Sequence, residues 1–363
     1  MELTVIRLPA DDASDDKRLD GVLQSALDGV AHATVTDVSA LPDLRGRRLL
    51  FAMALGAYGV NTAYLRLLAR LRAAPDTLDG CVSALIVDGG GELYTKSAAA
   101  ELALALNSAG SALPGRPLVE ATGSLQNFRV QAKNLGTDLM GAYRAAVREL
   151  AERLASEAFP LREKPALLAL HASSYHVSNT MQLWAQVKVR LKKSCTVEEI
   201  GLRNGAVSDC SGCPYTACLH FGEKGRCFYG GLMQDEVWPA VRRCDAVVLL
   251  CPNYNDALSA NLTAFINRMT GLFRQTRFYD KAVFAIVVSG YSGGDIVARQ
   301  VLDAMNMNKS FYLPPRFALI ETANDPGEAL MLSGVNARLD AFAARMRKSL
   351  CAPAAAENIA GGY

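Results

Sequence analysis

Short unbroken apolar runs alternate along the chain with longer stretches in which apolar residues recur at helical spacing. Such runs mark buried parallel strands, and the spaced stretches mark the helices that cover them. In the first half, residues 48–55 (RLLFAMAL) predict a strand, followed by a Gly-containing loop and a helix over 63–71. Residues 82–87 (VSALIV) predict a second strand, leading through Gly89-Gly90-Gly91 to a helix over 98–107. A third strand is expected over 118–122 and one long amphipathic helix over 131–155. The second half continues in the same manner: strands over 166–172, 245–250 and 282–288, each followed by a polar loop and then a helix, over 180–193, 260–273 and 296–305.

Strands alternating with helices predict an α/β fold with parallel sheets covered on both faces. At 363 residues the chain suits about two domains of roughly 150 residues each. The segment Ala57-Tyr58-Gly59-Val60-Asn61-Thr62 resembles Ser174-Tyr175-His176-Val177-Ser178-Asn179-Thr180, and each copy follows an apolar strand and opens a helix. Cys81 and Cys244 each begin the next strand. Duplication is the reading that joins these features. Pro160 and Pro165 place the boundary near 159–164, giving domains over 1–160 and 161–350 and a flexible tail over 351–363.

Composition narrows the class. Half the residues are hydrophobic, a fifth are charged, and the net charge is only +2 with dispersed Lys and Arg, which does not point to nucleic acid. No stretch is long and apolar enough to span a bilayer. The start of the chain, with Asp11, Asp12, Asp15 and Asp16, lacks the basic and apolar regions of a secretory signal. The expectation is a cytoplasmic protein without a membrane or nucleic-acid partner.

Two loops carry candidate chemistry. SSYHVSNT, residues 173–180, stands between a strand and a helix, where free N–H groups and the helix dipole suit a phosphate. Ser173, Ser178, Thr180 and the Asn179 amide could add donors there, or Ser178 or Asn179 could simply cap the helix. Neither the Gly-x-Gly-x-x-Gly nor the Walker lysine pattern is present. The second loop, Pro252-Asn253-Tyr254-Asn255, also follows a strand, the place where ligands sit in open α/β sheets. Its amides could bond a flat heteroaromatic ring and Tyr254 could stack on it.

Four of the nine cysteines, Cys210, Cys213, Cys218 and Cys227, fall in one segment between these motifs. Such a spacing can hold a tetrahedral metal or an iron–sulfur cluster. Cys244 and Cys251 read as small buried hydrophobes. The four histidines form no catalytic constellation: His176 sits in the phosphate loop, His220 beside Cys218, His171 at a strand end, and His32 alone.

Together the motifs resemble the NADPH-dependent FMN reductase and iron–sulfur flavoprotein families of the flavodoxin-like superfamily. Ser173, Asn179 and Thr180 keep the places of that phosphate loop, although its Gly and Pro are replaced. Asp245, Ala246, Pro252 and Tyr254 match the second segment, and Ser259, Ala260, Leu262, Phe265, Ile266 and Arg268 match the helix after it. The resemblance covers about 165–345 and implies two tandem flavodoxin-like domains, of which the second binds FMN. It places the phosphate at Ser173, Tyr175, Ser178, Asn179 and Thr180, the ring near Pro252, Asn253, Tyr254 and Asn255, and a third wall at the loop over 289–294, with Ser289, Gly290 and Gly293 as its binding residues. Iron–sulfur flavoproteins carry four cysteines at this point, with shorter later intervals; a 4Fe–4S cluster, no metal and structural zinc remain open. The implied activity is transfer of hydride or electrons from NAD(P)H or a carrier to a small acceptor; the alternative is a non-enzymatic electron-transfer protein. The first domain reads as a degenerate copy forming an internal pseudo-dimer, with a homodimer as a further assembly. Its segments 92–96 or 124–128 are candidates to cover the flavin.

Overall fold

The computed structural model describes residues 2–56, 58–173 and 178–353. Readings placed on Ala57, on Ser174, Tyr175, His176 and Val177, and on the tail beyond Pro353 lie outside the described residues.

The first half runs β1 (Leu3–Leu8), α1 (Ala13–Ala26), β2 (His32–Val35), β3 (Arg48–Leu55), α2 (Thr62–Ala73), β4 (Val82–Gly89), α3 (Thr95–Ser108), β5 (Leu118–Ala121), α4 (Arg129–Leu135) and α5 (Leu139–Ser156). The second half runs β6 (Ala166–His171), α6 (Asn179–Leu191), β7 (Thr196–Gly201), α7 (Tyr215–Glu223), α8 (Trp238–Arg243), β8 (Ala246–Pro252) and α9 (Ala260–Phe273). It continues with β9 (Ala282–Ser289), α10 (Gly294–Val301, extended by a π turn over Leu302–Met307), β10 (Ala318–Thr322) and α11 (Val335–Leu350). No helix of the described residues is long and apolar enough to cross a membrane.

Each half holds one five-stranded parallel sheet, ordered β2-β1-β3-β4-β5 and β7-β6-β8-β9-β10. Counted within each half, both follow the flavodoxin-like order 2-1-3-4-5, so the fold is two tandem flavodoxin-like units. The strands are buried on both faces because their side chains alternate between two cores. Leu49, Phe51 and Met53 of β3 enter a core shared by both halves, while Leu50, Ala52 and Ala54 pack beneath α1 and α5. In β8, Val247, Leu249 and Cys251 join the shared core, and Ala246, Val248 and Leu250 face α6 and α11.

Two expectations are corrected. The single helix over 131–155 is two, α4 and α5. Gly136, in the left-handed region at φ 64°, ends the first, and the Asp138 carboxylate accepts the Gly141 N–H (2.6 Å) to begin the second. The register of the repeat also differs. Strand order makes β1 and α1 the counterparts of β6 and α6, and β3 and α2 those of β8 and α9. The loop matching SSYHVSNT is therefore Pro9-Ala10-Asp11-Asp12, not the segment ending at Asn61-Thr62. Likewise Cys81, which precedes β4, corresponds to Lys281 before β9 and not to Cys244.

A second repeat fixes how the halves meet. Leu113-Pro114-Gly115-Arg116-Pro117 and Leu313-Pro314-Pro315-Arg316-Phe317 lie against each other. Leu113 and Leu313 exchange backbone hydrogen bonds, both 2.9 Å. Asn107 Nδ2 donates to Pro314 O (2.8 Å) and Asn306 Nδ2 to Pro114 O (2.8 Å). Arg116 N–H donates to Asn306 O, and Arg316 N–H to Asn107 O. Reciprocal bonds of this kind are the mark of a two-fold contact, here within one chain. The halves approach so closely that a Cβ on Gly115 would stand 2.0 Å from Ser310 O.

Candidate functional site

The loops after β6, β8, β9 and β10 enclose a cavity of about 690 Å³ at the carboxyl ends of the second sheet. That volume lies in the range of small-molecule sites. Its position between the β6 and β8 loops is the topological switch point, where ligands bind in this strand order. Ser173, Ser178, Asn179, Thr180, Pro252, Asn253, Tyr254, Asn255 and Gly290 all line it. Ser289 and Gly293 stand directly behind this wall, in contact with Asn253. Tyr175 lies outside the described residues. None of residues 92–96 or 124–128 lines the cavity.

At one end the cavity meets the amino terminus of α6. Ser178 is the N-cap, its hydroxyl accepting from Met181 N–H (3.5 Å) and pairing with Thr180 Oγ1 (2.7 Å). First-turn N–H groups have no acceptor within their own helix, and those of Asn179 and Thr180 begin this one. The Asn179 side chain has a different task from that expected. Its Nδ2 donates to Asp325 O (2.9 Å) and its Oδ1 accepts from Gly327 N–H (2.9 Å), tying the loop after β10 to the helix start.

The opposite wall is a tight turn. Asn255 and Asp256 both have left-handed backbone, φ 53° and 55°, and Tyr254 and Ala257 exchange two backbone hydrogen bonds across them. This is the pair of positive angles that a type I′ turn requires and that Asn and Asp tolerate. Asn253 lies at its base, its Nδ2 within reach of Ser289 Oγ (3.0 Å), Ser292 O (3.0 Å) and Asp256 Oδ1 (3.2 Å). Its Oδ1 is buried without any hydrogen-bond partner, an arrangement that costs about 1–3 kcal/mol until a donor arrives. Tyr254 (58% exposed) and Tyr291 (83% exposed) stand at the rim. Asp256 is the one charged residue of the described lining.

Tyr291 and Ser292, within the loop expected as a third wall, line the cavity too, and sequence reading missed Asp256, Val288, Ala323 and Asn324, which also line it. An Asn-Asp pair beginning three residues after a strand-ending proline signals the turn. Ala323 and Asn324 follow β10, a strand whose apolar content is too low to read as a run.

The first half closes the corresponding place with its own groups. At α1, Asp12 caps the helix by accepting from Ser14 N–H (2.8 Å), and Asp16 accepts from Ala10 N–H (3.0 Å) and pairs with Arg7. Carboxylates thus occupy the helix start where a phosphate would lie. Deeper, Arg18 holds Asp88 through both oxygens (2.7 to 3.0 Å) and also donates to Gly89 O and Gly123 O. The Tyr143 hydroxyl donates to Asp88 as well (3.0 Å). Asp88 therefore faces its own cation rather than a ligand. Burial pushes its carboxyl above the ordinary range, with Arg18 opposing the shift.

Replacing Arg18 by leucine is expected to destabilise the protein by about 2 kcal/mol at neutral pH. This is less than the loss for a fully buried pair, because the Arg18 side chain is a quarter exposed. Without Arg18 the Asp88 pKa rises further in the folded state, so that state binds the proton more tightly than the unfolded chain. The proton linkage then favours folding at acidic pH and is lost as pH rises through the folded pKa. Urea melts at pH 5 and pH 7.5 check this: the deficit should be smaller at pH 5.

The cysteine segment surrounds α7 and packs against α9. Cys210 is exposed and Cys213, Cys218 and Cys227 are half-buried. Among the described residues no three His, Cys, Asp or Glu side chains come together as a metal-binding group. Arg268 of α9 reaches under both limbs of this segment, donating to Gly230 O (2.8 Å) and meeting Ser208 O and Oγ (3.5 and 3.4 Å). The residue is 4% exposed, and its Nε has no hydrogen-bond partner. Cys244 and Cys251 are buried as expected. Burial pushes the Cys244 thiol up to about 12.

A doubly covered parallel sheet in this order, with a helix start and a ring-sized cavity at the switch point, defines a flavodoxin-like domain. Residues 165–325 match the model of the NADPH-dependent FMN reductase family. The match lies within the second half, and the first half lies outside it. No curated protein matches the sequence. Among solved structures, RosB with a bound intermediate is similar at 16% identity, over 51% of this chain and 80% of that chain, with a TM-score of 0.39. An azoreductase from Bacillus anthracis is similar at 14% identity, over 51% of this chain and 99% of that one, at 0.39. An NAD(P)H:quinone oxidoreductase from Methanothermobacter marburgensis is similar at 14% identity, over 51% and 94%, at 0.37.

Proposed function

We propose that this protein binds one FMN, in the cavity of the second half, and passes hydride or electrons from NAD(P)H to a small acceptor. The observation that carries the reading is the unpaired Oδ1 of Asn253, a residue that lines a cavity whose far end is a helix start. The isoalloxazine ring bears an imide N–H that such an acceptor would satisfy, and FMN bears a phosphate suited to the N–H groups of Asn179 and Thr180. The hydroxyls of Ser173, Ser178 and Thr180 add donors near that end, with Tyr175 assigned to the same group. Ser289 and Asp256 hold the Asn253 amide in place. No lysine or arginine belongs to the described lining, so helix dipole and neutral donors carry the phosphate charge. Tyr254 and Tyr291 flank the entrance, where a nicotinamide and then an acceptor would approach.

FMN, when bound, supplies hydride acceptance and onward electron transfer. The chain orients it, shields its inner edge from water and controls access. Titration of the apoprotein with FMN, followed by flavin fluorescence, should saturate at one equivalent per chain, and the complex should oxidise NAD(P)H steadily. Saturation at two equivalents would overturn the assignment of a closed first site. Failure to bind any FMN would overturn the whole reading.

A second reading, electron relay through a cluster at Cys210, Cys213, Cys218 and Cys227, is favoured by Arg268. Its buried guanidinium meets only neutral oxygens, which suits an anionic neighbour such as a thiolate-held cluster. The thiols are not gathered as a ligand set, so no step is assigned to such a group. Iron, sulfide and visible-spectrum assays on anaerobically purified protein decide between flavin alone and flavin with a cluster.

A further inference from the structure

We propose that Cys195 and Cys351 are a peroxide-responsive pair whose disulfide staples the last helix of the second half to its edge strand. Both cysteines are fixed against the same connecting segment. The N–H groups of Ser194 and Cys195 donate to Leu191 O at the end of α6 (2.8 and 3.0 Å), and Thr196 N–H donates to Pro165 O (3.0 Å). On the other side, Arg162 N–H donates to Leu350 O and Ala352 N–H to Arg162 O, both 2.8 Å, so Cys351 lies alongside Arg162. The Cys351 sulfur is 3.9 Å from Ser194 O, and both thiols belong to the apolar cluster under α11.

The Cys351 sulfur thus lies against the backbone of the residue just before Cys195, and burial pushes the Cys195 thiol up to about 12, with Cys351 adding to the shift. Packing alone does not call for two cysteines here, since α11 ends at Leu350 and Cys351 is half-buried. The exposure is unequal in a useful way. Cys195 is 4% exposed, whereas Cys351 is open enough to meet a small oxidant.

The chemistry balances with hydrogen peroxide as oxidant. The Cys351 thiolate attacks a peroxide oxygen; the S–O bond forms, the O–O bond breaks, and after proton transfer a sulfenic acid and water result. The Cys195 sulfur then displaces that oxygen. The S–S bond forms, the S–O bond breaks, and a second water leaves with the Cys195 proton. Two thiols are oxidised by two electrons and one peroxide is reduced to two waters. The high pKa of Cys195 fits the second, resolving role and not the first. The new bond would close most of the second half, from β7 through α11, into one covalent loop, and long loops of this kind restrict the unfolded chain most.

The proposal is independent of flavin or metal content and is tested on the full-length chain. Brief treatment with equimolar hydrogen peroxide, alkylation and peptide mass analysis should recover a Cys195–Cys351 cross-linked pair, lighter by two hydrogens. The unfolding midpoint should rise by about 5–10 °C and return on adding dithiothreitol. Cys351→Ser should fold normally and show neither change. A Cys351 oxidised to sulfinic acid beside an intact Cys195 thiol would overturn the proposal, as would a midpoint rise that persists in Cys351→Ser.

Discussion

Gly293→Val is expected to weaken FMN binding at least about a hundredfold while leaving the protein folded. Gly293 opens α10 from the left-handed region at φ 83°, where a β-branched residue is a genuine outlier. The space is closed as well. A Cβ there would stand 2.0 Å from Asp256 Oδ1 and 3.0 Å from Asn253 Nδ2. The loop must therefore move away from the turn after β8, and the first group to lose its place is the Asn253 amide. In the free protein this relaxation is cheap, because Tyr291 and its neighbours are exposed. Binding must reverse it, restoring strain of about 1–3 kcal/mol in addition to the contact with Asp256. At about 1.4 kcal/mol per factor of ten, the two together give the stated loss. Gly293→Ala, with a smaller side chain at the same φ, should fall between the variant and wild type. Equal FMN dissociation constants for all three proteins would show that Asn253 and its turn do not touch the cofactor.

The second half was more legible than the first for a physical reason. Strands buried on both faces show as unbroken apolar runs, so β6, β8 and β9 were expected close to where they lie. Strands β2, β7 and β10 are sheet edges with exposed or alternating positions, and their runs are too short or too polar to stand out. β1 is fully buried yet carries Arg7, held by Asp16 and Asp20, and that charge hides it. Missing β1 shifted the repeat by one βα unit. The loop before α2 then seemed to match the phosphate loop, although the true counterpart was already visible as an acidic cluster at Asp11, Asp12, Asp15 and Asp16. The Leu-Pro-x-Arg pair at 113–116 and 313–316 would have set the register. The site was legible as loops but not as contacts. Ser178, Thr180 and Asn253 could be named from their positions, whereas the tie between Asn179 and the loop after β10 depends on a strand that sequence did not announce.

The largest loss of stability is expected from Asn107→Ala, about 3–4 kcal/mol by urea unfolding. Asn107 is 1% exposed and its side chain makes three hydrogen bonds: Nδ2 to Ser111 O (3.1 Å) and Pro314 O (2.8 Å), and Oδ1 from Phe317 N–H (3.1 Å). Truncation leaves three buried backbone groups without partners, each worth about 1–3 kcal/mol when orphaned, with some recovered by local shifts. The pseudo-symmetric residue should cost less. Asn306 donates to Pro114 O (2.8 Å) and Phe311 O (2.7 Å), but its Oδ1 is buried without a partner. The cause lies in the repeat: Pro117 stands where the other half has Phe317, and proline has no N–H to give. Asn306→Ala is therefore expected to lose about 2–3 kcal/mol. The order of the two variants is the decisive feature. Because Asn107 reaches across to Pro314 and Phe317, its loss should also separate the unfolding of the two halves, so that near-UV and far-UV signals no longer coincide. Coincident transitions with wild-type midpoints would mean that the contact between the halves rests on the shared apolar core and not on these amides.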